Sequence, residues 1–168
     1  MNIEIIPVNK TQRSVLRQLT ELYFYDFSEF TEDNVNEHGF YDYSFLDLYW
    51  LDPKRLPFFI KVDGNFAGFA LVSSSFCCYT TNKEAHNIDE FFVMRKYRRM
   101  NIGNFAAKYI FDLFKGEWEV KVRHDNKPAL TFWKKVINEY TNGDYTYHSE
   151  PIPNQWEIGI GYTFNTLL

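Results

Sequence analysis

The residues best suited to chemistry form a short basic stretch between a predicted strand and a predicted helix. Within five positions it holds four cations, Arg95, Lys96, Arg98 and Arg99. A strand that leads basic residues into a helix N-terminus gathers backbone N–H donors, the positive end of the helix dipole and side-chain cations. Gly103 allows the backbone to approach an oxygen atom closely, and Asn101 tolerates a left-handed conformation. The stretch therefore predicts an anion site, best matched to phosphate.

Hydrophobic periodicity predicts the elements around this stretch. Strands are predicted over residues 2–7, 57–62, 66–73, 87–94, 118–122, 145–148 and 156–162. Helices are predicted from the apolar spacing around residues 15–23 to about Phe27, and over residues 44–50, 102–114 and 128–139. Asp63-Gly64 between two apolar runs is a strong hairpin signal. Because no repeat or linker interrupts this order, residues 1–168 are predicted to form a single domain of the α/β or α+β class.

The composition argues against several classes of protein. The 168-residue chain is 45% hydrophobic, enough for a packed core, and its longest apolar run is far too short for a membrane span. The first residues lack a basic region followed by an apolar segment, so we expect a cytoplasmic protein with no membrane partner. The two cysteines are adjacent and the four histidines are scattered, so neither a disulfide framework nor a metal site is predicted.

The two parts of the chain differ in charge. Residues 1–92 carry a net charge of −7 and residues 93–168 carry +3. Residues 23–50 hold eleven aromatic and seven acidic side chains but no Lys or Arg. This asymmetry predicts an anionic ligand for the second part and a cationic one for the first. It also disfavours nucleic acid as a partner, because the basic patch is short and the rest of the chain is acidic.

These residues resemble two motifs of the GNAT acetyltransferase superfamily. The phosphate motif, Gln or Arg, two residues, Gly, one residue, then Gly or Ala, corresponds to Arg98, Asn101 and Gly103. It follows Val93, which occupies the usual hydrophobic position at the strand end. The second motif corresponds to Asn126, Ala129, Phe132 and Trp133. The resemblance covers nearly the whole chain and implies a small bacterial-type member with a mixed, mostly antiparallel sheet, splayed central strands and flanking helices.

The resemblance implies an acetyl-CoA site without a metal. The pyrophosphate would bind the backbone amides of the loop, Arg98, Arg99, Met100, Asn101, Ile102 and Gly103. The pantetheine arm would lie between strands 87–94 and 118–122 and pair with the main chain of Phe91, Phe92 and Val93. Asn126, Phe132 and Trp133 complete the predicted cofactor contacts. Trp133 stands where the family commonly carries the Tyr that protonates the departing thiolate, and since indole does not titrate usefully, the general acid is unassigned.

The resemblance also implies direct attack by an acceptor amine, without an acyl-enzyme. A free amine is mostly protonated at neutral pH, so a proton acceptor is required. The family often uses a strand carboxylate, which here means Asp89 or Glu90. Strand periodicity places these two on opposite faces, so only one can serve, and we choose Glu90 as the catalytic base. Asp89 also fits as a surface partner of a loop cation, and a structural Glu90 bonded to backbone is an equal alternative.

The acceptor would lie beside the first two helices and the final strands. Rings and carboxylates together suit an ammonium group, so the predicted acceptor contacts are Tyr25, Asp26, Glu29 and Tyr41. The same side chains also fit a core and a solvated surface. The predicted function is acetyl transfer from acetyl-CoA to a primary amine of a cationic small molecule or peptide. The alternative is a GNAT-like module that binds CoA without transfer. The oligomeric state stays open, a homodimer included.

Overall fold

The computed structural model describes residues 1–74, 77–150 and 159–166. Within them the strands are β1 (Ile3–Pro7), β2 (Arg55–Val62), β3 (Asn65–Ser73), β4 (His86–Val93), β5 (Glu117–Arg123), β6 (Thr146–His148) and β7 (Gly159–Asn165). The α-helices are α1 (Arg13–Phe27), α2 (Leu48–Leu51), α3 (Ile102–Leu113) and α4 (Lys127–Thr141). Single turns of 3-10 helix cover Lys10–Gln12 and Arg95–Tyr97.

The strands form one sheet in the order β1-β2-β3-β4-β5-β7-β6. Every neighbouring pair is antiparallel except β4 and β5, which run parallel. This confirms the predicted mixed, mostly antiparallel sheet with flanking helices. No helix of the described residues is long and apolar enough to cross a membrane.

Helices cover both faces of the sheet and create two apolar layers. On one face, α3 and α4 pack over a core that includes Ile110, Phe111 and Trp118. On the other, α1 and α2 pack over a second core that includes Leu16 and Phe69. Many of the aromatic side chains therefore pack in these two cores.

The local predictions hold with two differences. The β2–β3 hairpin turns at Asp63 and Gly64, whose φ angles of 48° and 77° are left-handed as an Asp-Gly turn requires. The predicted helix over residues 44–50 is shorter, because residues 44–47 form turns and regular helix begins only at Leu48. The last predicted strand, residues 156–162, is seen as β7 from Gly159, and residues 156–158 lie outside the described part of the chain.

Candidate active site

The sheet opens between β4 and β5, whose pairing covers only His86–Ile88 against Trp118–Val120. Two cavities, of about 800 Å³ and about 500 Å³, lie at this opening. Both are lined by Tyr23, Phe27, Phe91, Asn126, Ala129 and Trp133. Because they share these walls, the two cavities are parts of one cleft.

The smaller cavity is bounded by the basic stretch. Asn101 precedes α3 in a left-handed conformation with φ of 62°, as its residue type predicts. A Cβ atom on Gly103 would lie 3.1 Å from Cε2 of Phe132, so glycine keeps the loop clear of α4. Arg98 donates from Nε to the carbonyl oxygen of Val93 at 2.7 Å, which anchors the loop to the end of β4. With the N–H groups of the first turn of α3, this geometry can hold a phosphate.

Most of the predicted cofactor residues line this cavity. They are Phe91, Phe92, Val93, Arg98, Arg99, Gly103, Asn126, Phe132 and Trp133. The other three differ in position: Ile102 is buried in the core, Met100 is exposed, and Asn101 shapes the loop through its backbone. Asn126 also caps α4, accepting a hydrogen bond from the backbone N–H of Ala129 at 3.0 Å.

Asp26 lies at the basic stretch. Its carboxylate accepts hydrogen bonds from Arg95 Nε at 2.9 Å and Nη2 at 2.6 Å, and from Arg98 Nη2 at 2.5 Å. Burial acts to raise the pKa of Asp26, but the bonds from Arg98 and Arg95 outweigh it and hold the pKa below its ordinary value. Asp26 thus occupies the same two guanidinium groups that would meet a phosphate.

A β-bulge in β4 changes the geometry of the two candidate carboxylates. Leu71 of β3 pairs with Glu90, whereas the next residue, Val72, pairs with Ile88, which leaves Asp89 as the extra residue. The sequence placed Asp89 and Glu90 on opposite faces, and this prediction is wrong. Asp89 contacts Tyr49 of α2 and Glu90 contacts Tyr23 of α1, and these helices cover the same face.

Glu90 lies in the larger cavity beneath α1. The Tyr23 hydroxyl donates to its Oε2 at 2.6 Å. Burial raises the pKa of Glu90 to about 7; the bond from Tyr23 opposes this rise and the charge of Asp89 adds to it. Burial and the Glu90 charge raise the pKa of Tyr23 well above 10.0, so Tyr23 stays a donor. A carboxyl group with a pKa near neutrality is suited to general-base chemistry.

Asp89 is fixed by neighbours from four elements. It accepts from the Tyr49 hydroxyl at 2.5 Å, the Ser73 hydroxyl at 2.8 Å and Asn87 Nδ2 at 2.6 Å. Nη1 of the buried Arg55 lies 3.7 Å from its Oδ2. The expected loop-cation partner is therefore replaced by an inward-facing network.

The predicted acceptor residues do not converge on Glu90. Tyr25 is 69% exposed, and the backbone N–H of Tyr41 donates to Glu21. Asp26 and Glu29 line the smaller cavity rather than the larger one. The larger cavity, where Glu90 lies, is lined instead by residues that include Tyr43, Phe45, Leu48, Arg55 and Lys121.

Arginines outside residues 23–50, the acidic segment, pair with some of its carboxylates. Arg13 pairs with Asp47, and Arg17 pairs with Asp42 at 2.9 Å. Together with Asp26, three of the seven acids of residues 23–50 thus meet arginines that lie before or after the segment. The fold itself therefore balances part of the negative charge of the segment, and only the remaining acids are available to a ligand.

Several residues of the cleft escaped the sequence analysis. The hydroxyl of Tyr43 interacts with Tyr49 and with both carboxylates. Lys121 follows the last β4–β5 pair, with Nζ 3.7 Å from the buried Glu119. The sequence does carry a signal for Tyr23, because this residue lies four positions after Leu19 and so continues the apolar face of α1. Among the described residues, no group of three or more His, Cys, Asp or Glu side chains is arranged to hold a metal ion.

The comparisons with known proteins agree with this geometry. The model of the acetyltransferase (GNAT) family matches residues 16–137. The chain therefore belongs to the GNAT acetyltransferase family. No curated protein matches it in sequence.

Solved structures share the fold at low identity. An acetyltransferase from Thermus thermophilus has a TM-score of 0.69 and 14% identity over 98% of this chain and 97% of that one. The PaiA N-acetyltransferase of Thermoplasma acidophilum, solved with coenzyme A, has a TM-score of 0.66 and 12% identity over 98% and 99%. An aminoglycoside 6'-N-acetyltransferase from Acinetobacter baumannii has a TM-score of 0.60 and 15% identity over 80% and 89%.

Proposed function

We propose that residues 1–168 form one acetyltransferase domain that transfers an acetyl group from acetyl-CoA to a primary amine. The observation that carries the proposal is the continuous cleft, which joins a phosphate-compatible loop to the half-buried carboxyl group of Glu90. The chain belongs to the GNAT family and shares its fold with a structure solved with coenzyme A, which supports a cofactor site in this cleft. The proposal assigns the loop end of the cleft to the cofactor and the Glu90 end to the acceptor. The amine acceptor is a small molecule or a peptide.

The residues present fit acetyl-CoA. Arg98 and Arg99 supply positive charge at the loop, and Gly103 leaves space beside Phe132. Beyond Ile88, β4 is released from its pairing with β5, so its backbone at Phe91–Val93 is available to pair with an extended amide-containing arm. Bound acetyl-CoA supplies a thioester whose carbonyl carbon accepts the amine.

Glu90 performs the proton transfer in this proposal. Its carboxylate takes a proton from the acceptor ammonium, and Tyr23 holds the carboxylate in place by donating to Oε2 at 2.6 Å. The amine nitrogen would form the C–N bond as the C–S bond of the thioester breaks, and the second proton that this nitrogen gives up would pass through water to the sulfur, which leaves as a thiolate. Since the pKa of a thiol is about 8.5, this thiolate is a moderate leaving group that water can protonate. Trp133 packs against Phe91 and Phe132 and shapes the cleft without donating this proton.

Calorimetry with CoA tests the cofactor half of the proposal. The wild-type protein should bind CoA, and Arg98→Glu should weaken binding by roughly tenfold or more, because it reverses a charge at the phosphate site. Arg13→Glu is the matched control, since Arg13 lies away from the cleft. Equal affinity of Arg98→Glu and the wild type would contradict the assigned phosphate site.

Release of free thiol from acetyl-CoA tests the transfer half. A panel of spermidine, lysine-containing peptides and an aminoglycoside should include at least one amine that accelerates thiol release. The pH profile of kcat/KM should rise through an apparent pKa near 7, that of Glu90, and Glu90→Gln should lower kcat and remove this limb. A protein that binds CoA but releases no thiol with any of these amines would instead be the non-catalytic module, the alternative that Trp133 favours.

A further inference from the structure

Asp89 has no assigned role in the transfer, yet it lies against the base. The bulge of β4 places it next to Glu90 on the same face of the sheet, where regular strand geometry would separate the two side chains. Its charge opposes the ionisation of Glu90. Holding two carboxylates side by side in a cleft costs free energy, so we expect hydrogen bonds or a cation to stabilise at least one of the two charges.

The contacts of Asp89 show which carboxylate is fixed. Its Oδ1 accepts from Ser73 and Asn87, and its Oδ2 accepts from Tyr49 and lies 3.7 Å from Arg55. These donors occupy both oxygens, so the Asp89 carboxylate is held in place by the surrounding side chains. The Asp89 side chain is 12% exposed and that of Arg55 is 7% exposed, which keeps the charge pair out of water.

Glu90 has a different environment. The Tyr23 hydroxyl reaches its Oε2 at 2.6 Å. The other titratable or charged groups that interact with it come from the segment before α2, from α2, from β4 and from β5, and include Tyr43, Tyr49, Asp89 and Lys121. Tyr43 and Lys121 favour the carboxylate, whereas Asp89 favours the protonated form.

We propose that Asp89 is a positioning residue for the transfer, a fixed negative charge that increases the affinity of Glu90 for the proton of the incoming ammonium. Nη1 of Arg55 lies 3.7 Å from Oδ2 of Asp89, so this cation partly offsets the charge of Asp89. The role in transfer rests on the proposed function, whereas the effect of Asp89 on Glu90 is a property of the free protein. The β4 bulge is therefore the feature that couples the two carboxylates.

The test is a titration of the free protein labelled with ¹³C in the glutamate carboxyl groups and followed by NMR. The Glu90 signal is the one that Glu90→Gln removes. Asp89→Asn should lower the midpoint of this signal by about one pH unit, since it removes a like charge. Asn retains an oxygen for Ser73 and Asn87. An unchanged or raised midpoint in a folded Asp89→Asn protein would overturn the proposal.

Two further variants complete the test. Arg55→Gln should raise the midpoint, because it removes the cation that moderates Asp89, and this opposite sign remains testable if Asp89→Asn does not fold. A lowered or constant midpoint in Arg55→Gln would also overturn the proposal. Asp52→Asn is the matched control, because Asp52 lies 3.6 Å from Nε of Arg55 but does not line the cavity that holds the carboxylate pair, and it should move the midpoint far less.

Kinetics separates this inference from the proposed function. In an active protein, Asp89→Asn should move the acid limb of kcat/KM to lower pH by the same amount and leave KM for acetyl-CoA within about twofold of the wild-type value. If the NMR midpoints shift as expected but no amine accelerates thiol release, the coupling of the two carboxylates stands and acetyl transfer fails.

Discussion

The contact of Asp26 with the proposed phosphate loop predicts that Asp26→Asn binds CoA more tightly than the wild-type protein. Arg95 and Arg98 donate to Asp26 at 2.5 to 2.9 Å, so under the proposed function CoA phosphates would compete with an internal carboxylate for the same groups. Asn keeps the size and polarity of Asp but carries no charge. Its substitution removes both the competition and the repulsion between a carboxylate and a phosphate.

The magnitude follows from the exposure of the pair. Arg98 is 40% exposed and Asp26 is 22% exposed, which places this ion pair near the protein surface. Such pairs contribute about 0.2–1 kcal/mol, so releasing Arg98 should lower the dissociation constant of CoA roughly 1.4- to 5-fold. The gain should shrink as salt rises from low to physiological concentration, because exposed charges are screened.

Calorimetry with CoA at two salt concentrations measures this effect. Asp42→Asn is the matched control: it removes the same charge from a pair with Arg17 on the outside of α1, and should leave the affinity unchanged. Weaker binding by Asp26→Asn would refute the reasoning, because it would mean that Asp26 holds the arginines in the orientation the phosphates need. A change confined to the KM of the acceptor amine would restore the role that the sequence predicted for Asp26.

Two stability predictions follow from Glu90 of β4 and Gly68 of β3. The folded pKa of Glu90, about 7, lies above the ordinary 4.5, so the folded protein keeps a proton that the unfolded chain loses, and stability falls as pH rises between these values. Glu90→Gln should therefore stabilise the protein at pH 8 by up to about 3 kcal/mol and lose this advantage near pH 4, and urea denaturation that shows no pH-dependent difference would contradict the assigned environment. A Cβ atom on Gly68 would lie 1.9 Å from the carbonyl oxygen of Phe92, so Gly68→Ala should lower the free energy of unfolding by about 2 kcal/mol or more. Gly103→Ala, which meets the movable Phe132 ring at 3.1 Å, should cost clearly less, and equal losses would show that β3 and β4 can separate freely.

The sequence could predict the shape of the loop between β4 and α3 because its signals are local. A strand end, a run of cations, a left-handed Asn and a glycine lie within eleven consecutive residues, and each acts through its own backbone or side chain. The same holds for the hairpin at Asp63 and Gly64, whose turn depends on residue type alone. Such features need no knowledge of which strands become neighbours.

The carboxylate pair could not be predicted in this way. The bulge at Asp89 is a property of the register between β3 and β4, and a single strand of sequence carries no signal for it. The partners of the acidic residues could not be predicted for a related reason, since Asp26 and Asp42 pair with arginines that are distant in the sequence. The sequence shows how many acidic side chains the segment contains, whereas only the fold shows which arginine each of them contacts.

Helix α1 connects the two ends of the cleft. Tyr23 donates to Glu90 and Asp26 accepts from Arg95 and Arg98, and these two residues are less than one helical turn apart. Under the proposed function, a phosphate that displaces Asp26 would therefore act on the same turn that orients Glu90. A helix moves as a unit over such a distance, so release of Asp26 should alter the hydrogen bond between Tyr23 and Glu90. Asp26→Asn should therefore shift the titration midpoint of Glu90 in the free protein. Saturation of the wild-type protein with CoA should shift this midpoint in the same direction. Opposite directions would show that the two ends of the cleft act independently.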